Sequence, residues 1–482
     1  MADRVVAARR IAELVGDFDR SPAYQGLAEG LRVLITDGRV PVGVRLPSER
    51  ELTEALGVSR TTVTRAYAEL RDRGFLVSRQ GSGSVASLPA THGLRGDHLL
   101  TPNEQAEGKI DLTCAAPVPG AGLLAAYQRA VADLPRYLSG SGYYPSGLPE
   151  LRQAVADRYA ARGLPTTADQ VMIVPGAMSG LAVAARALVR RGARAVVESP
   201  TYPNGIETLR HSGARLVSSH VARDDARVDA LIDVVRQVGP ALALLIPDFH
   251  NPTGHLMSDE SREQVAAALG RAGATPVIDE SMVDIPLDGQ AMPAPFAAYS
   301  PGAVSVGSLS KPFWGGLRVG WVRAPEPMMD ALVRSRLSLD LGTPLLEQLV
   351  AIDLLDHGAP LLEQRRAQLR ASRDAALAAL AVHLPEWQVH KPGGGLSLWC
   401  ELPEDKAHSS DLVPYAAGRD VIVVPGPSFA PEGGLDRFLR IPYTAPAHVL
   451  EDAIGRLAVA WRDAPRGLMA GRVRQDGPTL VA

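Results

Sequence analysis

Two hydrophobic periods divide this chain. Over residues 59–74 the apolar positions Val63, Ala66, Tyr67 and Leu70 recur at helical spacing behind Ser59, a good cap, and the run stops at Gly74. Just before it, Leu46-Pro47-Ser48-Glu49-Arg50-Glu51-Leu52 opens with a capping box. The Ser48 hydroxyl can accept from the N–H three residues on while Glu51 reaches back, and Gly57 is a helix stop. Two helices joined by so short a turn predict a helix-turn-helix. Phe75-Leu76-Val77, a Gln80-Gly81-Ser82-Gly83 turn and Val85 then predict a small β-hairpin, a wing.

From Ile110 the pattern changes. Strand-like runs at residues 171–174, 195–198, 215–218, 242–246, 276–279, 304–308 and 319–323 alternate with helical stretches such as 179–190 and 258–272. That alternation predicts an α/β fold around a mostly parallel sheet. Helical pattern dominates residues 327–384, and a strand-rich stretch over 387–443 predicts a smaller α+β subdomain. Pro89, Gly93, Gly96, Pro102 and Gly108 mark a linker. The expected organisation is a winged helix-turn-helix over 20–87, a linker over 88–109, an α/β module over 110–465 split near residue 326, and a loose tail over 466–482.

Composition narrows the possibilities. The net charge of −3 gives the whole chain no nucleic-acid character, so any DNA contact must be local. Two cysteines, Cys114 and Cys400, form neither a disulfide framework nor a metal cluster. Charged residues interrupt the N-terminal apolar positions, and no apolar run approaches the roughly 18 residues of a membrane span. A cytoplasmic protein without metal or membrane contact is expected. Of 50 basic residues only four are lysines: Lys109, Lys311, Lys391 and Lys406. Lysine offers what arginine does not, an amine that can lose its proton and attack a carbonyl.

Lys311 ends the strand-like Ser305-Val306-Gly307-Ser308-Leu309-Ser310 run and precedes Gly315, Gly316 and Arg318. Hydroxyl, amine and guanidinium together suit a phosphorylated aldehyde. Other strand ends carry Pro175-Gly176-Ala177-Met178-Ser179-Gly180, small enough for backbone N–H groups to approach a phosphate, and His250-Asn251-Pro252-Thr253-Gly254. Asp279 closes another strand, where a carboxylate can pair with a protonated pyridine nitrogen. Tyr202 is placed to stack on a ring. In the N-terminal module, Ser59, Arg60, Thr61, Thr62 and Thr64 open the second helix, the end that reads base edges in such motifs. Arg60 suits a bidentate contact to guanine and the hydroxyls suit phosphates.

The N-terminal residues resemble the GntR family of winged-helix repressors through Leu46-Pro47-Ser48-Glu49-Arg50-Glu51-Leu52, Ser59-Arg60-Thr61-Thr62-Val63 and Gly81. The resemblance implies that Arg50, Ser59, Arg60, Thr61, Thr62, Thr64, Gln80 and Gly81 face double-stranded operator DNA. Residues from about 110 to 463 resemble the fold-type I, class I aminotransferases, which bind pyridoxal 5′-phosphate (PLP). This rests on Tyr143-Tyr144-Pro145-Ser146-Gly147-Leu148 with Leu151-Arg152, Asn251-Pro252-Thr253-Gly254, Asp279, and Ser308-Leu309-Ser310-Lys311 with Arg318.

That second resemblance implies a Schiff base between Lys311 and PLP, with Asp279 at the pyridine nitrogen, Asn251 on the ring hydroxyl and Tyr202 stacked on the ring. Gly176, Ala177, Ser308 and Arg318 would hold the phosphate, joined by Tyr143 or Tyr144 from a neighbouring subunit, and Arg440 would grip an effector carboxylate. One position departs from the family: Ser281 stands where a tyrosine usually bonds the ring oxygen. A winged helix joined to such a module resembles the MocR subfamily of transcription regulators, which pair head to tail as homodimers. Three functions follow: a regulator sensing PLP, an amine or an amino acid, with absent or residual transamination; a working aminotransferase carrying a DNA-binding domain; or a DNA-binding protein whose PLP is structural.

Overall fold

The structure, a computed structural model, describes residues 5–36, 39–40, 44–79, 83–87, 108–120, 122–220, 228–404 and 406–464. Gln80 and Gly81, most of the expected linker and the tail from 466 lie outside the described residues.

Helices Ala8–Val15 and Ala23–Thr36 precede the expected pair, Glu49–Leu56 and Arg60–Asp72. The capping box forms as read: Glu51 N donates to Ser48 Oγ at 3.3 Å and Ser48 N donates to Glu51 Oε2 at 2.8 Å. Gly57 takes a left-handed φ of 64° and ends the helix. The wing is β1 (Leu76–Arg79) paired antiparallel with β2 (Gly83–Ala86), Leu76 opposite Ala86. Val63, Ala66, Tyr67 and Leu70 are all buried, in a core that includes Leu31, Leu52 and Phe75 and reaches back to Ile11.

The chain continues through β3 (Ile110–Asp111) into the α/β module. Its sheet uses β4 (Val171–Val174), β5 (Arg194–Ser199), β6 (Arg215–His220), β7 (Leu242–Leu245), β8 (Thr275–Asp279), β9 (Val304–Ser308) and β10 (Gly320–Arg323). The order is β4-β10-β9-β8-β7-β5-β6. Strands β5 to β9 are parallel, whereas β10 runs antiparallel to both β4 and β9. A parallel neighbour needs a long crossover, and the 309–319 connection instead doubles straight back, with Leu309 N donating to Val319 O at 3.0 Å. Alternate residues of β4 enter two different cores, Val171 and Ile173 on one face and Met172 and Val174 on the other. Covering both faces is what makes these strands read as continuous apolar runs.

Helices Glu326–Leu337, Leu345–His357 and Ala359–His383 lead into the C-terminal subdomain. It holds β11 (Gln388–Val389), β12 (Ser397–Glu401), β13 (Val421–Ile422), β14 (Val424–Pro425) and β15 (Phe438–Pro442), with helices Ser409–Ala417 and Ala447–Asp463. Its sheet is antiparallel, in the order β11-β12-β15-β14. Strand β13 pairs instead with β3, which ties the residues after the linker to this subdomain. Among the described residues no helix is long and apolar enough to cross a membrane.

Candidate functional site

The strand-end residues converge at the carboxyl ends of β4, β8 and β9, where open α/β sheets bind ligands. Asp279 is the last residue of β8. Its Oδ1 accepts from Ser281 N at 2.9 Å. The Ser281 backbone amide is thus held by the Asp279 carboxylate, as in a turn cap. Burial pushes the Asp279 carboxyl above its ordinary value; hydrogen bonding from Ser281 and the nearby Lys311 amine oppose the shift.

Lys311 follows β9 and donates from Nζ to the Ala115 carbonyl at 3.1 Å. Burial lowers the affinity of its amine for a proton, Arg440 and Arg318 lower it further, and Cys114 and Asp279 counteract. A lysine depressed in this way is the nucleophilic kind. Lys311 keeps partial exposure although protein surrounds its amine.

Arg318 sits in the left-handed region at φ 49° and donates from Nη2 to the Pro175 carbonyl at 2.8 Å. Facing it is Gly176, at φ 85° and ψ 166°, which opens helix Ala177–Leu188. A Cβ on Gly176 would stand 2.7 Å from Arg318 Nη2. Gly320 permits the approach from below: a Cβ there would meet Gly307 O at 2.6 Å and Ala177 N at 2.9 Å. Ser308 Oγ accepts from Ser310 N at 3.0 Å, and Ser310 Oγ is buried without a partner. Helix N-terminus, hydroxyls and guanidinium together have the chemistry to hold a phosphate dianion.

Tyr202 opens helix Pro203–His211, and its phenol accepts from Asn204 Nδ2 at 2.8 Å. Burial raises this phenol to about 12, so it stays neutral. Arg440, on β15, is fully buried. Its Nη2 donates to the Thr113 carbonyl, its Nη1 lies 3.5 Å from Asn251 Oδ1, and its Nε has no partner. The Phe429 ring lies beneath the guanidinium, 5.0 Å from centroid to Cζ. Burial lowers Arg440 to about 10, which leaves it cationic at neutral pH. Arg440 has no salt bridge among the described residues. Tyr143 is 65% exposed, whereas Tyr144 packs against the core and meets Tyr137 edge-on at 6.5 Å.

The residues fit a phosphorylated pyridine aldehyde. A carboxylate, a depressed amine and a guanidinium beside a helix N-terminus lie close together, and Lys311 senses both Asp279 and Arg318. Two contacts escape a reading of the sequence, because they are backbone carbonyls: Thr113 O on Arg440 and Ala115 O on Lys311. Behind Asp279, Glu280 accepts from Tyr159 Oη at 2.7 Å and Ser305 Oγ at 3.2 Å, a buried network with no local motif. Among the described residues no group of His, Cys, Asp and Glu is arranged to hold a metal.

On the N-terminal module, Arg50, Ser59, Arg60, Thr61 and Thr64 are exposed and Thr62 half-buried. Some of their polar groups are engaged: Ser59 Oγ accepts from Thr62 N at 3.1 Å, Thr64 Oγ1 donates to Glu49 Oε2 at 2.7 Å, and Arg50 Nε lies 3.3 Å from Glu54. Arg60 stands at the first turn of its helix, where a recognition helix reads bases.

Residues 137–457 match the family described as aminotransferase class I and II, and residues 23–85 match the bacterial regulatory proteins of the gntR family. The HTH-type transcriptional regulator YdfD of Bacillus subtilis is 26% identical over 88% of this chain and 92% of its own length. The probable rhizopine catabolism regulatory protein MocR of Rhizobium meliloti is 29% identical over 76% of this chain and 78% of its own. Among solved structures, the α-aminoadipate aminotransferase LysN of Thermus thermophilus, complexed with N-(5′-phosphopyridoxyl)-L-leucine, superposes with a TM-score of 0.68 at 27% identity, covering 75% of this chain and 94% of that one. Membership of the aminotransferase class I and II family supports pyridoxal phosphate as this chain's cofactor. The chain belongs to the aminotransferase class I and II family and, with its gntR-family helix-turn-helix in front, is a DNA-binding transcription regulator of the MocR type.

Proposed function

We propose that this regulator senses an amino compound at the PLP recess and reports it to operator DNA through the winged helix. In this reading residues 20–87 bind DNA and residues 110–465 bind the effector. The observation that carries it is Arg440, buried and cationic, with an unpaired Nε and close enough to Lys311 to act on its amine. A buried cation without a carboxylate partner is costly to keep unless a ligand completes it.

Lys311 would hold the cofactor's aldehyde carbon, and Asp279 its ring nitrogen. Asn251 would bond the ring hydroxyl, and Tyr202 would stack on the ring. Gly176, Ala177, Ser308 and Arg318 would hold its phosphate. When bound, the cofactor supplies a carbonyl carbon that exchanges amines and a ring that withdraws electrons. The chain's own residues do the rest. Lys311 yields its proton readily, Asp279 keeps a proton on the facing nitrogen, and Arg440 orients the effector by its carboxylate. PLP itself is the other effector that fits.

Tyr143 would complete the phosphate site of a second copy paired head to tail. Its exposure supports this, together with that of Leu124, Leu138, Leu339 and Leu341, each at least half exposed in the single chain. Sedimentation of the purified protein tests the homodimer. Spectroscopic titration of the PLP-loaded protein with amino acids and other amines, followed to product, tests the sensing reading. Loss of the visible band in Lys311→Ala and a single spectral shift without turnover are expected; a Lys311→Ala protein that keeps the native band refutes the lysine's role. Multiple turnovers with an oxo-acid acceptor would favour the second reading, a working aminotransferase. The short Ser281 side chain, which leaves the tyrosine's usual role unfilled, supports regulation over turnover.

A further inference from the structure

Most buried arginines of the large module are answered by an acidic group. Arg262 lies 2.8 Å from Asp248, Arg336 2.9 Å from Asp340 and Arg373 2.7 Å from Asp288. Arg323 has the Glu280 carboxylate and the Tyr159 phenol acting on it, and Arg440 has Asp111, Cys114 and Tyr202. Arg365, on helix Ala359–His383, is the exception. It is 6% exposed, and no acidic group acts on it among the described residues. Its partners are neutral: Nη2 donates to the Val118 carbonyl and to Phe313 O at 3.3 Å, and Nη1 lies 3.5 Å from Gln368 Oε1. Its Nε is buried and has no partner. Burial pushes the guanidinium below its ordinary value, yet an arginine keeps its proton even so. The chain thus holds a buried cation without a counter-charge, a costly arrangement unless something completes it.

That guanidinium lines a cleft of about 300 Å³. Leu123, Phe313, Leu354 and Leu361 form apolar walls, and Gln368 stands at the exposed rim. Phe313 lies on the loop that follows Lys311, so the cleft is close to the cofactor lysine in sequence without sharing its polar groups. Apolar walls with one or two polar groups are the make-up of a small-molecule site.

We propose that this cleft is a second ligand site, separate from the PLP recess, for a small monocarboxylate with an apolar body. The carboxylate takes the place of the missing acidic side chain and accepts from Arg365, whose donors suit a planar anion. The body packs against Leu123, Phe313, Leu354 and Leu361. Among the described residues Arg365 is the sole charged group lining the cleft, which sets the class of ligand. A second carboxylate would be buried without a cation, and an ammonium group without an anion. Amino acids are therefore excluded here, and the two sites take different chemistry. A cleft at the small end of ligand pockets admits a single ring or a short chain.

Fluorine NMR titration of full-length, PLP-loaded protein with para-fluorobenzoate tests this. Native protein should show saturable binding, and para-fluorobenzamide, the same shape without charge, should bind at least about tenfold more weakly. The benzoate affinity should survive Arg440→Lys to within about twofold, because Arg440 belongs to the other site. Gln368→Glu places a carboxylate one helical turn from Arg365 and so supplies the counter-charge from the chain itself. It should weaken the benzoate at least about tenfold without lowering the thermal midpoint. Arg365→Gln should lose the binding as well; if it does not fold, Gln368→Glu decides, since it leaves the Val118 and Phe313 bonds in place. Three results overturn the proposal: no saturable binding to native protein, as when another segment or a second copy fills the cleft; binding that vanishes in Arg440→Lys; or native affinity in Gln368→Glu. The amine-sensing reading fails separately, since it is read at the visible band of the cofactor and not at this cleft.

Discussion

Gly176→Ala is the sharpest probe of the proposed phosphate cradle, because one methyl group produces two separable effects. At φ 85° and ψ 166° the backbone of residue 176 lies where only glycine is at ease, so an alanine costs about 1–3 kcal/mol of folding stability with or without cofactor. The second effect is steric and local. The new Cβ would sit 2.7 Å from Arg318 Nη2, and the guanidinium, not backbone, is the atom that gives way. Moving it breaks the 2.8 Å bond to Pro175 O and withdraws a charged donor from the phosphate. A hydrogen bond to a charged group is worth about 1.5–3 kcal/mol, so PLP affinity should fall roughly 10- to 150-fold. Titration of the apo-protein with PLP, read by visible absorbance, gives the affinity; thermal unfolding of the apo-protein gives the strain. Arg318→Ala should show the affinity loss without the strain, and the double variant should bind PLP no more weakly than Arg318→Ala. A Gly176→Ala protein that loses stability but keeps native PLP affinity would refute the cradle.

Two further outcomes test the charges. Asp279→Asn should weaken PLP binding yet stabilise the apo-protein at neutral pH. Burial raises the folded Asp279 value, so its contribution is present below the unfolded value near 4 and is lost as pH rises through the folded value; native and variant melting curves should therefore converge in acid and separate above it. A native apo-protein at least as stable as Asp279→Asn at pH 7 would contradict this. Arg60→Ala should weaken binding to a fragment of the regulator's own promoter by about 1–3 kcal/mol, measured by fluorescence anisotropy at fixed salt, and unchanged affinity would remove Arg60 from the recognition surface.

What local order decides, the sequence by itself determined. The capping box at Ser48 and Glu51, the stop at Gly57 and the buried face of Val63, Ala66, Tyr67 and Leu70 each depend on residues within a few positions of one another. The strands of the large sheet were legible because both of their faces are covered, and strand ends announced Asp279 and Lys311 because a charged residue after an apolar run has few other reasons to be there. Tertiary structure decided the rest. It reversed β10, since the 309–319 connection folds back on itself. It held the Ser281 amide on Asp279, and it separated exposed Tyr143 from packed Tyr144. It set the Thr113 and Ala115 carbonyls on Arg440 and Lys311, and Arg32 on Asp436 across 404 positions. Backbone carbonyls are the same in every residue, and an ion pair between distant segments leaves no spacing to read. Such contacts exist only once packing has brought the segments together.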